Sequence, residues 1–103
     1  MRIVAKSTLR KFWIKYPDAE KPLLSWHKLI SESDWRNPAE LKREITNASV
    51  VGDNRVVFNI KGNDYRLVTY VDFKFRIVFV LWIGTHKQYD KIDVKIIGYD
   101  KNN

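Results

Sequence analysis

A histidine, a tyrosine and an aspartate follow a long apolar run in the last third of the chain. Residues 77–83 read IVFVLWI, and the next segment, GTHKQYD, contains His86, Tyr89 and Asp90. Histidine titrates near neutral pH, and tyrosine and aspartate can donate, accept or orient a proton. Because the end of a buried strand holds side chains more rigidly than a free loop, this placement favours a proton-transfer site.

Arginines on the neighbouring strands are the second candidate group. Side chains alternate along a strand, so Arg66 is expected to face away from the helical half of the chain. Arg55 and Arg76 begin the flanking strands and, if the register allows, join Arg66 on a concave cationic surface. Guanidinium groups bind phosphate oxygens bidentately and stabilise charge that develops on a phosphorane-like transition state.

The elements that position these residues show two kinds of apolar spacing. Alternation in the second half predicts an antiparallel meander of three strands joined by tight turns, over 55–60, 65–71 and 75–83 with turns at 61–64 and 72–74. The stretch 85–91 has room for one helical turn, and 92–97 fits either an edge strand or an extended arm.

The first half predicts a short strand at 2–5 and then helices. Ser7 and Asp18 are the expected N-caps of the first two, and Pro17 ends the first. Asn37 and Pro38 open a third helix that runs to about residue 45. The expected inward stripe of the second helix is Leu23, Trp26, Leu29 and Ile30.

These elements predict an α+β fold, in which a short N-terminal strand and two to three helices pack on a three- to four-stranded, mainly antiparallel sheet. At 103 residues and 45% hydrophobic content, the chain is sized for one domain, which we expect over 1–98 with a short tail at 99–103. Trp13, Trp26 and Trp82 are expected to pack in the core. Trp35 either covers the core edge or meets a partner.

The composition limits the classes of binding partner. A net charge of +7 and a pI of about 9.7 favour a polyanion, with nucleic acid first, although an acidic protein or an anionic membrane surface also fits. The absence of cysteine excludes disulfides and thiolate zinc sites and fits a reducing cytoplasm. The N-terminal residues lack the apolar core of a signal peptide, and no apolar run approaches the ~20 residues of a membrane span.

RNA is the substrate that requires the fewest catalytic groups from such a site. Its 2′-hydroxyl is an internal nucleophile, so a base, an acid and cations suffice, and cleavage leaves a 2′,3′-cyclic phosphate and a 5′-hydroxyl. No Asp, Glu or His spacing resembles a nuclease metal site, so we expect neither a metal nor a cofactor, and we favour metal-independent transesterification over two-metal hydrolysis.

Two motifs then carry a family resemblance over nearly the whole chain. The run VFNIKGNDYRLV at 57–68 and the run GTHKQYDKID at 84–93, together with YPDAE at 16–20, resemble the HigB toxins of the RelE superfamily. The resemblance implies a ribosome-dependent mRNA endonuclease of a type II toxin–antitoxin pair. It also implies neutralisation by a HigA-like helix-turn-helix antitoxin, and autorepression through operator DNA bound by the toxin–antitoxin complex.

The resemblance assigns roles to single residues. Arg66 matches the arginine that contacts the scissile phosphate in RelE-like toxins. His86 stands where relatives often have an arginine that acts as general acid, and Tyr89 lies closer to Gly84 than the tyrosine of RelE does. With Asp90 these form the expected catalytic set. The expected RNA or phosphate contacts are Arg55, Lys61, Arg76, Lys87, Lys42 and Arg43.

Other interpretations stay open at this stage. Asp90 could cap a turn or pair with a neighbouring lysine, Tyr89 could simply pack under the sheet, and Lys42 and Arg43 could form a solvated helix face. A toxin of the same fold could instead block a protein such as DNA gyrase, as ParE-like relatives do. A basic module that stacks RNA bases without cleaving them is a third possibility.

Overall fold

The sheet and helices are described in a computed structural model for residues 1–94. In chain order the elements are β1 Arg2–Val4, α1 Lys6–Lys15, a 3₁₀ turn Pro17–Ala19, α2 Glu20–Glu32, α3 Pro38–Glu44, β2 Ser49–Val50, β3 Arg55–Ile60, β4 Tyr65–Asp72, β5 Ile77–Thr85 and α4 His86–Tyr89. The predicted α+β class is confirmed.

The described strands form one five-stranded sheet in the order β1-β5-β4-β3-β2. The pairs β3–β4 and β4–β5 are antiparallel, so the predicted meander is confirmed. β1 pairs with β5 in parallel and adds a strand at one edge. The two-residue strand β2 covers only part of the outer edge of β3, where Ser49 pairs with Val57 and Val50 with Val56.

The main core lies between the helices and one face of the sheet. That face presents alternate residues of each strand, and Phe58 and Leu67 are buried in it against Leu9, Leu23 and Ile30 of the helical layer. The opposite face carries a smaller apolar cluster in which Val57 and Val68 are buried with Val94. The sheet therefore separates a helical layer from a second, more polar face, where the candidate site lies.

A β-bulge between Val68 and Thr69 sets which side chains reach the second face. Val68 is paired with Trp82, but Thr69 is paired with Val80, so Leu81 is the extra residue on β5. Without an inserted residue, alternation would send positions 79 and 82 to opposite faces. Because of the bulge, the half-buried Trp82 lies on the same face as Arg66. The sequence predicts a core residue here, and Trp82 packs against the smaller apolar cluster of that face and not in the main core.

Local predictions for the helices have mixed outcomes. The start of α3 is confirmed, because the Asn37 side chain accepts from the Glu40 N–H at 2.9 Å and Pro38 is the first helical residue. The cap at Ser7 is wrong, since α1 begins at Lys6 with Ala5 at its N-cap. The cap at Asp18 is also wrong, since Ala19 occupies that position in α2.

Other differences concern exposure and bounds. Leu29 is 45% exposed and not part of the inward stripe, whereas Trp35 is buried. The third long strand begins at Ile77 because Arg76 has φ 59°, in the left-handed region that extended strands exclude. Residues 92–94 are not a strand; the rest of the 92–97 prediction, the boundary at 98 and the tail at 99–103 lie outside the described residues. No described helix has the length and apolar character needed to cross a membrane.

Candidate active site

Arg66 is held at the β3–β4 end of the second face by two neutral amides. Its Nη1 donates to Asn59 Oδ1 at 2.6 Å, across the strand pair, and to Asn63 Oδ1 at 2.5 Å, in the hairpin turn. The two amide oxygens therefore fix one edge of the guanidinium, and because they are neutral acceptors they place no negative charge against it.

Tyr89 lies beneath the same guanidinium. The guanidinium carbon of Arg66 is 5.6 Å from the centroid of the Tyr89 ring, and the Tyr89 and Trp82 rings are tilted against each other with centroids 6.3 Å apart. A cation over an aromatic face is worth about 0.5–1 kcal/mol at a partly exposed position. The order Trp82, Tyr89, Arg66 thus gives the arginine an aromatic support from below.

Gly84 makes room for this aromatic support. It is the β5 residue paired with Arg66, and a Cβ added there would lie 2.5 Å from Cη2 of Trp82 and 2.7 Å from Oε1 of Gln88. Contacts that short do not occur between real side chains. The glycine at the end of the long apolar strand is therefore required by the Trp82 ring that lies over it.

The short helix α4 places the histidine. Thr85 caps it by accepting from the Gln88 N–H at 3.2 Å, and the Gln88 side chain accepts from the Thr85 N–H at 2.9 Å, which forms a capping box. The His86 N–H donates to the Asp64 carbonyl at 3.0 Å, which ties α4 to the β3–β4 hairpin. The predicted helical turn after Thr85 is confirmed.

His86 and Asp90 lie one helical turn apart and face each other. His86 Nε2 is 3.5 Å from Asp90 Oδ2, and both side chains are substantially exposed. At this distance Asp90 can orient the imidazole ring of His86. The structure thus brings Arg66, His86, Tyr89 and Asp90 to the same end of one sheet face. Residues 1–94 contain no group of three or more potential ligands that could hold a metal ion.

Lys61 stabilises the hairpin turn that contains Asn63. Its ammonium pairs with Asp18 at 2.8 Å and with Asp64 at 3.3 Å, and the Tyr65 hydroxyl donates to the other oxygen of Asp18. These bonds, led by the one from Lys61, lower the pKa of Asp18 below its ordinary value of 3.8. The bond to Asp18 likewise raises the pKa of Lys61, and raises the pKa of Tyr65 to about 12. The cluster joins the α1–α2 corner to the hairpin.

Arg55 and Arg76 differ in their relation to Arg66. Arg55 lies on the same face, paired with Tyr70, four β3 residues from Asn59 and hence roughly 13 Å along the strand from Arg66. Arg76 is not brought to this site. It lies at the opposite end of β4, and its guanidinium contacts Asp34 at 2.8 Å and the Phe73 carbonyl.

The remaining predicted contact residues lie apart from one another. Lys87 is exposed on α4, next to His86. Lys42 donates to the carbonyls of Thr46 at 2.6 Å and of Ala48, so it closes the C-terminal end of α3. Arg43 is exposed on the same helix, which packs through Leu41 into the core on the other face of the sheet.

Sequence reasoning did not identify three residues that contribute to the site: Asn59, Asn63 and Trp82. Alternation along β3, together with the predicted turn at 61–64, could have placed Asn59 opposite Arg66 on the same face. The contact from Asn63 depends on the hairpin conformation, and that of Trp82 depends on the bulge. The local pattern predicts a turn at 61–64 but not its conformation, and it carries no mark of the bulge.

Comparison with known proteins decides the family. The family model of the HigB toxin, described as a RelE-like toxic component of a toxin–antitoxin system, matches residues 19–92. The chain belongs to the HigB toxin family. The matched region contains Arg66, His86, Tyr89 and Asp90, together with both amides that hold the arginine.

Individual relatives of this toxin are similar over most of their length. An mRNA interferase HigB of Escherichia coli O6:H1 is 29% identical over 94 residues, 89% of this chain and 91% of the relative. The mRNA interferase toxin HigB of Escherichia coli K12 and the mRNA interferase HigB of Shigella flexneri are each 28% identical over 93 residues, 87% of this chain and 88% of theirs. These names do not support the gyrase-blocking alternative. Membership of a toxin–antitoxin family implies an antitoxin partner.

Proposed function

We propose that this toxin is a ribosome-dependent mRNA endonuclease that inhibits translation by cleaving mRNA through the 2′-hydroxyl of its substrate, without a metal ion. The observation that carries the proposal is the position of the Arg66 guanidinium, supported by Tyr89 and set at the same end of the sheet as the His86–Asp90 pair. The names of the relatives, mRNA interferases, support the same activity.

Each group has a part in the reaction. The 2′-oxygen attacks the adjacent phosphorus, a base takes the proton of the 2′-hydroxyl, the bond from phosphorus to the 5′-oxygen breaks, and an acid protonates that leaving oxygen. Arg66 binds the phosphate and stabilises the extra negative charge of the transition state. His86 and Tyr89 share the two proton transfers, and Asp90 orients His86. Each proton-transfer group contributes about 10²–10⁴-fold to the rate.

The surrounding cations extend the proposed RNA surface. Arg55 shares the face of Arg66, and Lys87 lies beside His86, so both are proposed to contact the RNA backbone. Lys61, Lys42 and Arg76 already have partners within the chain, and any contact that they make with RNA is additional to these bonds. Arg43 is proposed to contact ribosomal RNA from the exposed side of α3.

The proposed partners follow from this activity. They are the ribosome with its mRNA and a HigA-like helix-turn-helix antitoxin, whose complex with the toxin binds operator DNA. The proposed location is the cytoplasm, where translating ribosomes are found. The ribosome is expected to supply the in-line geometry of the scissile nucleotide, since correct alignment of reacting groups is worth several kcal/mol of the barrier.

Primer extension on mRNA from cells that briefly express the toxin tests the proposal. Wild-type protein is expected to give cuts in phase with codons, and Arg66→Ala and His86→Ala are expected to give none while remaining folded. Gyrase supercoiling is measured in the same cultures. Intact mRNA together with arrested growth would refute the proposal, and lost supercoiling would then identify a gyrase-blocking toxin.

A further inference from the structure

A groove runs between helix α2 and the outer edge of strand β3, on the side of the sheet away from the candidate active site. It has a volume of about 270 Å³ and is largely apolar, and its lining includes Pro22, Trp26, Leu29, Phe58, Asn59 and Lys61. Leu29 is 45% exposed, a large apolar side chain that faces this groove without being covered. The catalytic scheme above makes no use of the groove itself.

Trp26 contributes a buried hydrogen-bond donor that lacks an acceptor. The side chain is 6% exposed, and its ring packs edge-on against Phe58 with centroids 5.4 Å apart. Its indole Nε1 is buried and has no hydrogen-bond acceptor among the described residues. A buried donor without an acceptor destabilises the fold, so an acceptor brought into the groove would recover the lost hydrogen-bond energy.

The outer edge of β3 contributes main-chain hydrogen-bonding groups beside the groove. The Arg55 carbonyl accepts from the Val51 N–H at 2.9 Å, which places the main-chain groups of Arg55 on the β2 side. Because hydrogen-bonding direction alternates along a strand, those of Val57 and Asn59 point the same way. β2 reaches Val57 but not Asn59, so in the described part of the chain no strand neighbours the outer edge at Asn59.

An open strand edge beside an apolar groove fits an extended peptide. Main-chain hydrogen bonds to Asn59 would give affinity, and alternate side chains of the peptide would fill the space beside Leu29. RNA is a poorer fit, because Lys61 is the one cation among the lining residues and its ammonium is already paired with Asp18 and Asp64.

We propose that this groove binds an extended segment of the toxin's own antitoxin, which adds a strand to β3 at Asn59 and supplies the acceptor for Trp26 Nε1. The net charge of +7 favours an acidic segment, and the exposed Lys21 and Lys28 each precede a groove residue on α2. The inference rests on the toxin–antitoxin family, not on RNA cleavage. Because the Asn59 side chain also holds Arg66, the added strand would lie next to a support of the active site.

Two exposed leucines of α2 give a matched test. Leu29 lines the groove and Leu24, 41% exposed on the same helix, does not. The affinity of purified antitoxin for the toxin is measured by calorimetry with the full chain and the variants Leu29→Glu and Leu24→Glu. Leu29→Glu is expected to weaken binding by about tenfold or more and Leu24→Glu by less than about twofold. Equal effects of the two variants would overturn the proposal.

The tryptophan resonances report the proposed contact directly. In ¹⁵N-labelled toxin, the Trp26 indole N–H is expected to shift and to exchange more slowly when antitoxin binds, and so is the Asn59 amide. The Trp35 indole N–H, which donates to Glu44 at 2.8 Å, is the internal reference and should not change. An unchanged Trp26 signal in the saturated complex would overturn the proposal.

The remaining outcomes separate this proposal from the proposed function. Leu29→Glu without antitoxin is expected to arrest growth and cleave mRNA like wild type, because Leu29 has no part in the active site. If the wild-type toxin did not cleave mRNA, the proposed function would be refuted, but the result for antitoxin binding would still hold. Toxin that is dimeric alone and becomes monomeric in Leu29→Glu would assign the groove to a second copy and refute the antitoxin assignment.

Discussion

The guanidinium of Arg66 rests over the ring of Tyr89, with 5.6 Å between the guanidinium carbon and the ring centroid. The arginine comes from strand β4 in the middle of the sheet, and the tyrosine comes from the short helix α4 that follows strand β5. Gly84, which is paired with Arg66 in the sheet, lets the Trp82 ring lie beside them. One packed unit therefore positions both the proposed phosphate-binding group and the proposed proton-transfer groups.

Arg66→Lys tests whether the guanidinium fork matters beyond its charge. Lysine keeps the cation but cannot bond a phosphate bidentately while also donating to Asn59 and Asn63. We expect cleavage to fall by about 10²-fold or more, with the melting temperature little changed. The measurement is single-turnover cleavage of mRNA on ribosomes.

Arg76→Lys is the matched control for that variant. Arg76 lies at the other end of the sheet, so its replacement is expected to lower the free energy of unfolding by about 0.5–1.5 kcal/mol through lost hydrogen bonds and leave cleavage near wild type. Equal loss of cleavage in the two variants would contradict the special role of Arg66.

Tyr89→Phe separates the hydroxyl of Tyr89 from its ring. The ring still supports Arg66 and packs against Trp82, so the free energy of unfolding should change by less than about 0.5 kcal/mol. If the hydroxyl transfers a proton, the cleavage rate should fall by about 10²–10⁴-fold. A rate like wild type for Tyr89→Phe, with a loss in Tyr89→Leu, would reduce Tyr89 to a support for the arginine.

Gly84→Ala is expected to disturb the site through packing. The new Cβ would meet the Trp82 ring at 2.5 Å, and the resulting overpacking should cost about 1–3 kcal/mol of unfolding free energy and reduce cleavage. The double variant Gly84→Ala/Trp82→Phe, with a smaller ring, should recover part of both losses. Chemical denaturation of the two single variants and the double variant measures this coupling. Additive losses would contradict the proposed contact.

The ion pair of Asp18 predicts the acid dependence of stability. The pKa of Asp18 is lowered first by Lys61 and then by Tyr65, so the carboxylate stabilises the fold above its unfolded pKa near 3.8. That contribution is lost as the pH falls through the still lower folded pKa. Asp18→Asn should therefore be less stable than wild type at pH 7, and the difference should shrink at pH 3 and below. Urea denaturation across this range measures it.

Two comparisons check the acid prediction. Asp53→Asn also removes one carboxylate, from an exposed turn residue, and is the control for the loss of a single negative charge. A difference between Asp18→Asn and wild type that stayed constant down to pH 2 would contradict the account. At the alkaline end, the pKa of Tyr65 is raised from 10.0 to about 12, so its contribution is present below pH 10 and is lost as the pH rises to about 12.

Local patterns predicted the elements of this fold better than their contacts. The cap of α3 was visible because Asn37, Pro38 and Glu40 act on one another within a single turn. Asp18 looked equally like a cap. Its partners, Lys61 and Tyr65, are 43 and 47 residues away, and a bond at that separation is decided by the tertiary fold. The short strand β2 was missed because two exposed residues carry no alternation.

The same limit applies to the candidate site. Arg66 and the His86–Tyr89–Asp90 group could be named because motif and alternation place them at the ends of paired strands. Trp82 could not be placed, because the bulge at Val68 and Thr69 changes the face to which it points. Alternation alone could not exclude Arg76 from the site. The sequence pattern extends the third long strand through residue 76, but the left-handed backbone of Arg76 keeps this residue out of the strand.

The chemistry of the cut ends tests the central claim most directly. The measurement uses a defined mRNA on ribosomes, with purified toxin, and compares an all-ribose message with one that has a single 2′-deoxynucleotide at the cleaved position. We predict fragments that end in a 2′,3′-cyclic phosphate and begin with a 5′-hydroxyl, and no cleavage at the deoxy position. Cleavage of the deoxy message, or fragments that begin with a 5′-phosphate, would contradict attack by the 2′-hydroxyl and the roles given to Arg66, His86 and Tyr89.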